Sequence, residues 1–80
     1  MALLEELAEK LAADVMETQN RLGAPAERLY VEVGNYIGTS SPSLQEAFMT
    51  ACRLHLAEQR GRKFFDQRAA ALAEAGTSGK

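Results

Sequence analysis

Apolar residues recur at helical spacing through the first 22 positions of the chain. Six positions, each three or four residues from the next, share one face of a helix: Leu4, Leu7, Leu11, Val15, Thr18 and Leu22. Leu3 and Ala8 widen this apolar stripe. Gly23 follows as a candidate C-terminal cap, and Pro25 comes two residues later. The pattern predicts an amphipathic helix over residues 2–22.

The next segment, residues 25–37, fits two kinds of secondary structure. Pro25 suits the first position of a helix, and four apolar positions then share one face: Leu29, Val33, Tyr36 and Ile37. Residues 29–33 also alternate between apolar and other side chains with the period of a strand. A single strand has no partner within the chain for its backbone groups, so we favour a helix. A strand that pairs across a dimer interface remains the alternative.

A turn over residues 38–43 separates this segment from a long helical pattern. Pro42 resists extension of the preceding helix, and Ser43 with Glu46 matches a capping box for the next one. The third segment runs from Leu44 to about Ala75. Its apolar stripe comprises Leu44, Ala47, Phe48, Ala51 and Leu54, continued by Ala57, Gly61, Phe64 or Phe65, and Leu72. Residues 76–80 lack apolar side chains and are expected to be disordered.

The sequence therefore predicts an all-α fold, with one domain over residues 1–75. Two shorter helices precede one C-terminal helix that is either long or broken at Gly61. An unbroken helix of about 32 residues would measure roughly 48 Å, whereas a compact chain of this size has a radius of gyration of about 12 Å. The helix either breaks or projects, and a projecting end would expose Phe64, Phe65 and Leu72 unless a partner covers them.

Composition favours a partner. Of 80 residues 46% are hydrophobic, but 14 of these are alanine and none is tryptophan. Small domains usually need a disulfide, a metal ion or oligomerisation to be stable. One cysteine excludes an internal disulfide, and one histidine excludes the common multi-histidine zinc sites. Oligomerisation remains, and we predict no cofactor and no metal.

Candidate catalytic chemistry is sparse. Cys52 and His55 can be neighbours on a helix, but nucleophilic catalysis also needs activation and oxyanion donors that the sequence does not display. Phosphate-binding glycine motifs are absent as well. We therefore expect a protein that is not an enzyme.

Charge is distributed unevenly along a chain whose formal net charge is −2. Residues 1–33 carry seven acids and three bases, which gives −4, whereas residues 53–68 carry five bases and two acids, which gives +3. The basic segment could contact a polyanion through Arg53, Arg60, Arg62, Lys63 and Arg68. We favour pairing of this segment with the acidic first helix, within one chain or between subunits, because such pairing needs no ligand.

These patterns favour a non-enzymatic helical interaction module that forms a homodimer and acts as a regulatory or adaptor protein, with a second protein as a further partner. Its predicted interface comprises Tyr36, Phe48, Leu54, Ala57, Gly61, Phe64, Phe65 and Leu72. The alternative is a small nucleic-acid-binding regulator that uses residues 53–68. No apolar run is long enough to span a membrane, acids interrupt the N-terminal apolar stretch, and the single cysteine suits a reducing compartment, so we expect a cytoplasmic protein.

Overall fold

The computed structural model describes residues 2–78, with side chains described for residues 2–76. Helix α1 spans Leu3–Leu22, a short 3₁₀ turn spans Ala24–Ala26, α2 spans Leu29–Gly38 and α3 spans Pro42–Ser78. Within the described range there is no strand. The prediction of an all-α fold, with two shorter helices and one long C-terminal helix, is confirmed.

Glycine ends α1, as its position in the sequence predicts. Gly23 has a φ of 77°, a conformation that side-chain-bearing residues rarely adopt, and its N–H donates a 2.8 Å hydrogen bond to the Gln19 carbonyl. The strand alternative for residues 25–37 is wrong, because this segment forms the 3₁₀ turn and then α2. The Tyr30 N–H in the first turn of α2 donates to Gln19 Oε1 at 2.7 Å. This bond satisfies a donor that has no partner within its own helix.

Ser41, and not the predicted Ser43, caps α3. The Leu44 N–H donates to Ser41 Oγ at 3.1 Å, and Pro42 occupies the first helical position, where its missing N–H removes no hydrogen bond. From there α3 continues for 37 residues without a break at Gly61. Its last turn includes residues 76–78 of the segment predicted to be disordered, and residues 79–80 lie outside the described range.

The core is built mainly between α1 and α3. Its buried apolar members are Ala8, Ala12, Val15 and Met16 from α1, with Phe48 and Cys52 from α3. The face of α1 that is buried is rotated by roughly 80° from the predicted leucine stripe. Leu4, Leu7 and Leu22 are exposed, because α1 presents small alanines to α3 and Phe48 fills the space beside them.

Helix α2 approaches α3 closely at Gly34. A Cβ atom added there would lie 2.6 Å from Met49 Sδ, so a larger residue would displace that side chain. Leu29, Val33 and Ile37 pack from α2 against the edge of the core. α2 therefore closes the core from one side.

The molecule is elongated. Its radius of gyration is 17.1 Å, compared with about 12 Å for a compact chain of 80 residues, and its dimensions are 61 × 32 × 14 Å. At 1.5 Å per residue, α3 is roughly 55 Å long and accounts for the longest dimension. The predicted alternative in which α3 projects from the domain is the one observed.

Candidate interaction surface

The apolar side of α3 changes position along the helix. In the first half, Phe48 and Cys52 face the core and are fully buried. The same side of the helix continues with Gln59, Lys63 and Asp66, since Asp66 lies 18 residues, or about five turns, beyond Phe48. The core-facing side therefore becomes polar where α3 leaves the domain.

A second apolar face begins on a different side of α3, roughly 140° around the helix from Phe48 and Cys52. Leu54, Gly61, Phe65 and Leu72 lie along one line of this side, because Leu72 is also about five turns beyond Leu54. Ala57 and Phe64 flank that line. We call these six residues the second face: Leu54, Ala57, Gly61, Phe64, Phe65 and Leu72.

The second face is open to solvent. Leu54, Phe64, Phe65 and Leu72 are 67%, 68%, 60% and 54% exposed, respectively. Every residue from Arg60 to Gly76 is exposed. No heavy atom lies within 4 Å of a Cβ added at Gly61, so packing within the chain does not require glycine at this position.

Two of the predicted interface residues lie elsewhere. Phe48 has no exposed surface, so the prediction that it contacts a partner is corrected: it belongs to the same buried cluster as Ala8 and Ala12. Tyr36 is 78% exposed, but it lies on α2 and is not part of the second face. Its role in an interface stays a prediction.

The five basic residues of the predicted polyanion site are all exposed: Arg53, Arg60, Arg62, Lys63 and Arg68. They do not share one side of α3, because Arg60 and Arg62 are separated by roughly 160° around the helix. Arg62 pairs with Glu58 at 3.0 Å, an exposed contact that contributes little stability. Arg68 lies within the second face, between Phe64 and Leu72. The structure thus spreads this set around the helix.

A groove lies between α1 and α3 beside the start of the second face. Its open volume is about 470 Å³. The apolar lining comes from Leu4, Ala8, Ala47, Ala51 and Leu54, and the acidic lining from Glu5, Glu9 and Glu46. We call this the α1/α3 groove. An adjacent hollow near the middle of α3 adds Glu58 and His55. The sequence reasoning missed this groove, since only packing brings residues 4–9 to residues 43–54.

Cys52, the candidate nucleophile beside His55, is fully buried in the core. Burial raises the pKa of the Cys52 thiol from 9.0 to about 11, and Arg53 lowers it only in part. The thiolate needed for nucleophilic attack is therefore scarce near neutral pH. Within the described residues, no group of three side chains is arranged to hold a metal ion.

Comparison with protein-family models, with curated proteins and with solved structures finds no match. Across the described part of the chain, no helix combines the length and apolar character needed to cross a membrane.

Proposed function

We propose that this protein is a non-enzymatic interaction module that forms a homodimer through the second face of α3. The observation that carries the proposal is the change of apolar side along α3 at Leu54. If the exposed segment merely extended the core stripe, its apolar residues would continue the line of Phe48 and Cys52. They instead form a separate stripe that starts within the folded domain and is exposed along its whole length.

Energetics favour a covered second face. Taking about 200 Å² for a fully exposed phenylalanine, Phe64 and Phe65 together leave about 260 Å² in water. At about 25 cal/mol per Å², burying this area contributes roughly 6 kcal/mol per copy before the costs of association. Most of the stability of helices in proteins comes from packing of an apolar face, so a partner would also stabilise the segment after Gln59.

A second copy is the partner that the chain itself supplies. A twofold interface uses the same patch on both subunits, which suits a single stripe centred on Gly61. Glycine at the centre allows two helix backbones to approach closely. The small core and the excess length of α3 point in the same direction. We further propose a regulatory or adaptor role in the cytoplasm, where a single free cysteine remains reduced.

Sedimentation velocity over 1–200 µM tests this proposal. The wild-type chain should shift from monomer to dimer, and Phe64→Ser/Phe65→Ser should remain monomeric across the range. The matched control is Asp66→Ser/Gln67→Ser, which places two serines in the same turn of α3 but off the second face. A wild-type chain that stays monomeric at 200 µM, or a control that loses the dimer equally, contradicts the proposal.

Nucleic-acid binding is the second candidate, favoured by the exposure of all five basic residues of residues 53–68. Fluorescence anisotropy with a labelled DNA duplex and a labelled RNA at 50 and 200 mM salt tests it. Binding that falls steeply with salt, and that is lost in Arg60→Gln/Arg62→Gln/Lys63→Gln, would favour this function. No binding of either nucleic acid at 50 mM salt would dismiss this function.

A further inference from the structure

We propose that the α1/α3 groove binds the exposed half of α3 from a second copy. In this dimer the two α3 helices pair antiparallel and cross at Gly61. This inference rests on the proposed homodimer and adds its geometry and a second set of contact residues. With the crossing at Gly61, each groove would receive the part of the other subunit's α3 that begins at Arg68 and includes Leu72.

The first argument is that the groove and the second face are continuous. Ala47 lines the groove, and Phe65 lies 18 residues, or about five turns, further along the same line of the helix. Leu54 belongs to both the groove and the second face. One strip of α3 is thus walled by α1 in its first half and free in its second half. Such a strip is self-complementary when two copies run in opposite directions.

The second argument is the match of side-chain sizes. In an antiparallel pair that crosses at Gly61, Phe65 lies opposite Ala57, and Leu72 lies opposite Thr50. Phe65 and Leu72 therefore each meet a small residue of the other copy, whereas Phe64 lies opposite Glu58. Thr50 lines the groove, so this register brings Leu72 into the groove of the other copy.

The third argument is charge. The groove carries three acids, namely Glu5, Glu9 and Glu46. Of the four bases in the exposed segment over residues 60–68, Arg68 is the one that this register brings to a groove residue. Complementary charge of this kind fixes the register and orientation of an interface.

Arg68 gives this complementarity a specific contact. Its charge interrupts the apolar second face, and among the described side chains it takes part in no ion pair. In the antiparallel pair Arg68 lies opposite Leu54, which lines both the groove and the adjacent hollow together with Glu9. A cation within an apolar stripe is thus placed where the other copy supplies a carboxylate.

Cysteine trapping tests the direction of the pair. Two separately tagged chains, Ala47→Cys and Ala75→Cys, are mixed and oxidised, with the wild type as control for the buried Cys52. An antiparallel pair gives mainly the mixed disulfide, which joins the thiol introduced at position 47 of one chain to the thiol introduced at position 75 of the other. A parallel pair gives the two homodisulfides instead, and that result would overturn the proposed binding of α3 in the groove.

Charge exchange tests the groove itself. We expect Arg68→Glu and Glu9→Arg each to raise the dimer dissociation constant at least tenfold, and the double variant to recover most of this loss. Arg62→Glu, which lies off the second face, is the matched control and should change the constant less than threefold. If the chain dimerises but the double variant shows no such recovery, the groove is not the binding site for the second copy, whereas the proposed homodimer is unaffected. A wild-type chain that never dimerises would instead remove the proposed function.

Discussion

Replacing Gly61 with alanine should stabilise the exposed helix of a single chain and weaken its self-association. A Cβ added at this position meets no heavy atom within 4 Å, so the substitution causes no clash within one chain. Alanine is favoured over glycine inside a helix by about 0.8–1.0 kcal/mol. This difference corresponds to a roughly four- to fivefold smaller population of locally opened helix.

In the dimer the same methyl group has the opposite effect. Two copies that cross at Gly61 would bring their added methyl groups together, and overpacking of this kind costs about 1–3 kcal/mol. The dimer dissociation constant should therefore rise by roughly 5- to 150-fold.

Two measurements separate these effects. Hydrogen exchange at low micromolar concentration reports the local helix, in which amides near residue 61 should exchange four to five times more slowly in the variant. Sedimentation over a concentration series reports the dimer. Gln67→Ala is the control for the dimer, because position 67 lies on the same exposed helix but off the second face. An unchanged dissociation constant in Gly61→Ala would refute the close crossing of the two helices. Faster hydrogen exchange near residue 61 would refute the inference that the added methyl group fits within one chain without a clash.

Three further predictions concern the domain itself. Phe48→Ala should lower the free energy of unfolding by about 3–5 kcal/mol, a large part of the roughly 4–12 kcal/mol available to a domain of this size. A urea titration at a protein concentration too low for dimerisation measures this loss, and a loss under 1 kcal/mol would contradict the place of Phe48 in the core. Ser41→Ala should cost about 1 kcal/mol in the same titration through the lost cap on Leu44, whereas Ser43→Ala should change stability by less than half of that. Iodoacetamide at pH 8 should modify Cys52 far more slowly in the native chain than in urea, because burial raises its pKa to about 11. The thiol ionises near pH 9.0 in the unfolded chain, so the contribution of Cys52 to the free energy of unfolding is complete below pH 9. This contribution is lost as the pH rises through 11, and urea titrations at several pH values across this range would measure the loss.

The three helices follow from local features of the sequence. Apolar spacing, the glycine at position 23 and the proline at position 42 act within a few residues of themselves, so their effects can be predicted without knowledge of the fold. The arithmetic of helix length against domain size is equally local, and it predicted that α3 must either break or project. If α3 projects, Phe64, Phe65 and Leu72 are exposed, as the structure shows.

Tertiary packing decided which surfaces those helices use. The leucine stripe of α1 is more apolar than the alanine side, yet Ala8 and Ala12 face α3, because the fit of a small-residue surface around Phe48 depends on a partner about 40 residues away. That same fit takes Phe48 out of the predicted interface. Continuity of α3 through Gly61 was also undecided by the sequence, since glycine costs a helix only about 1 kcal/mol and flanking turns can offset it. The sequence by itself therefore determined the helices and the excess length of α3. Packing determined which faces are buried and created the groove beside the second face, because both depend on contacts between distant segments.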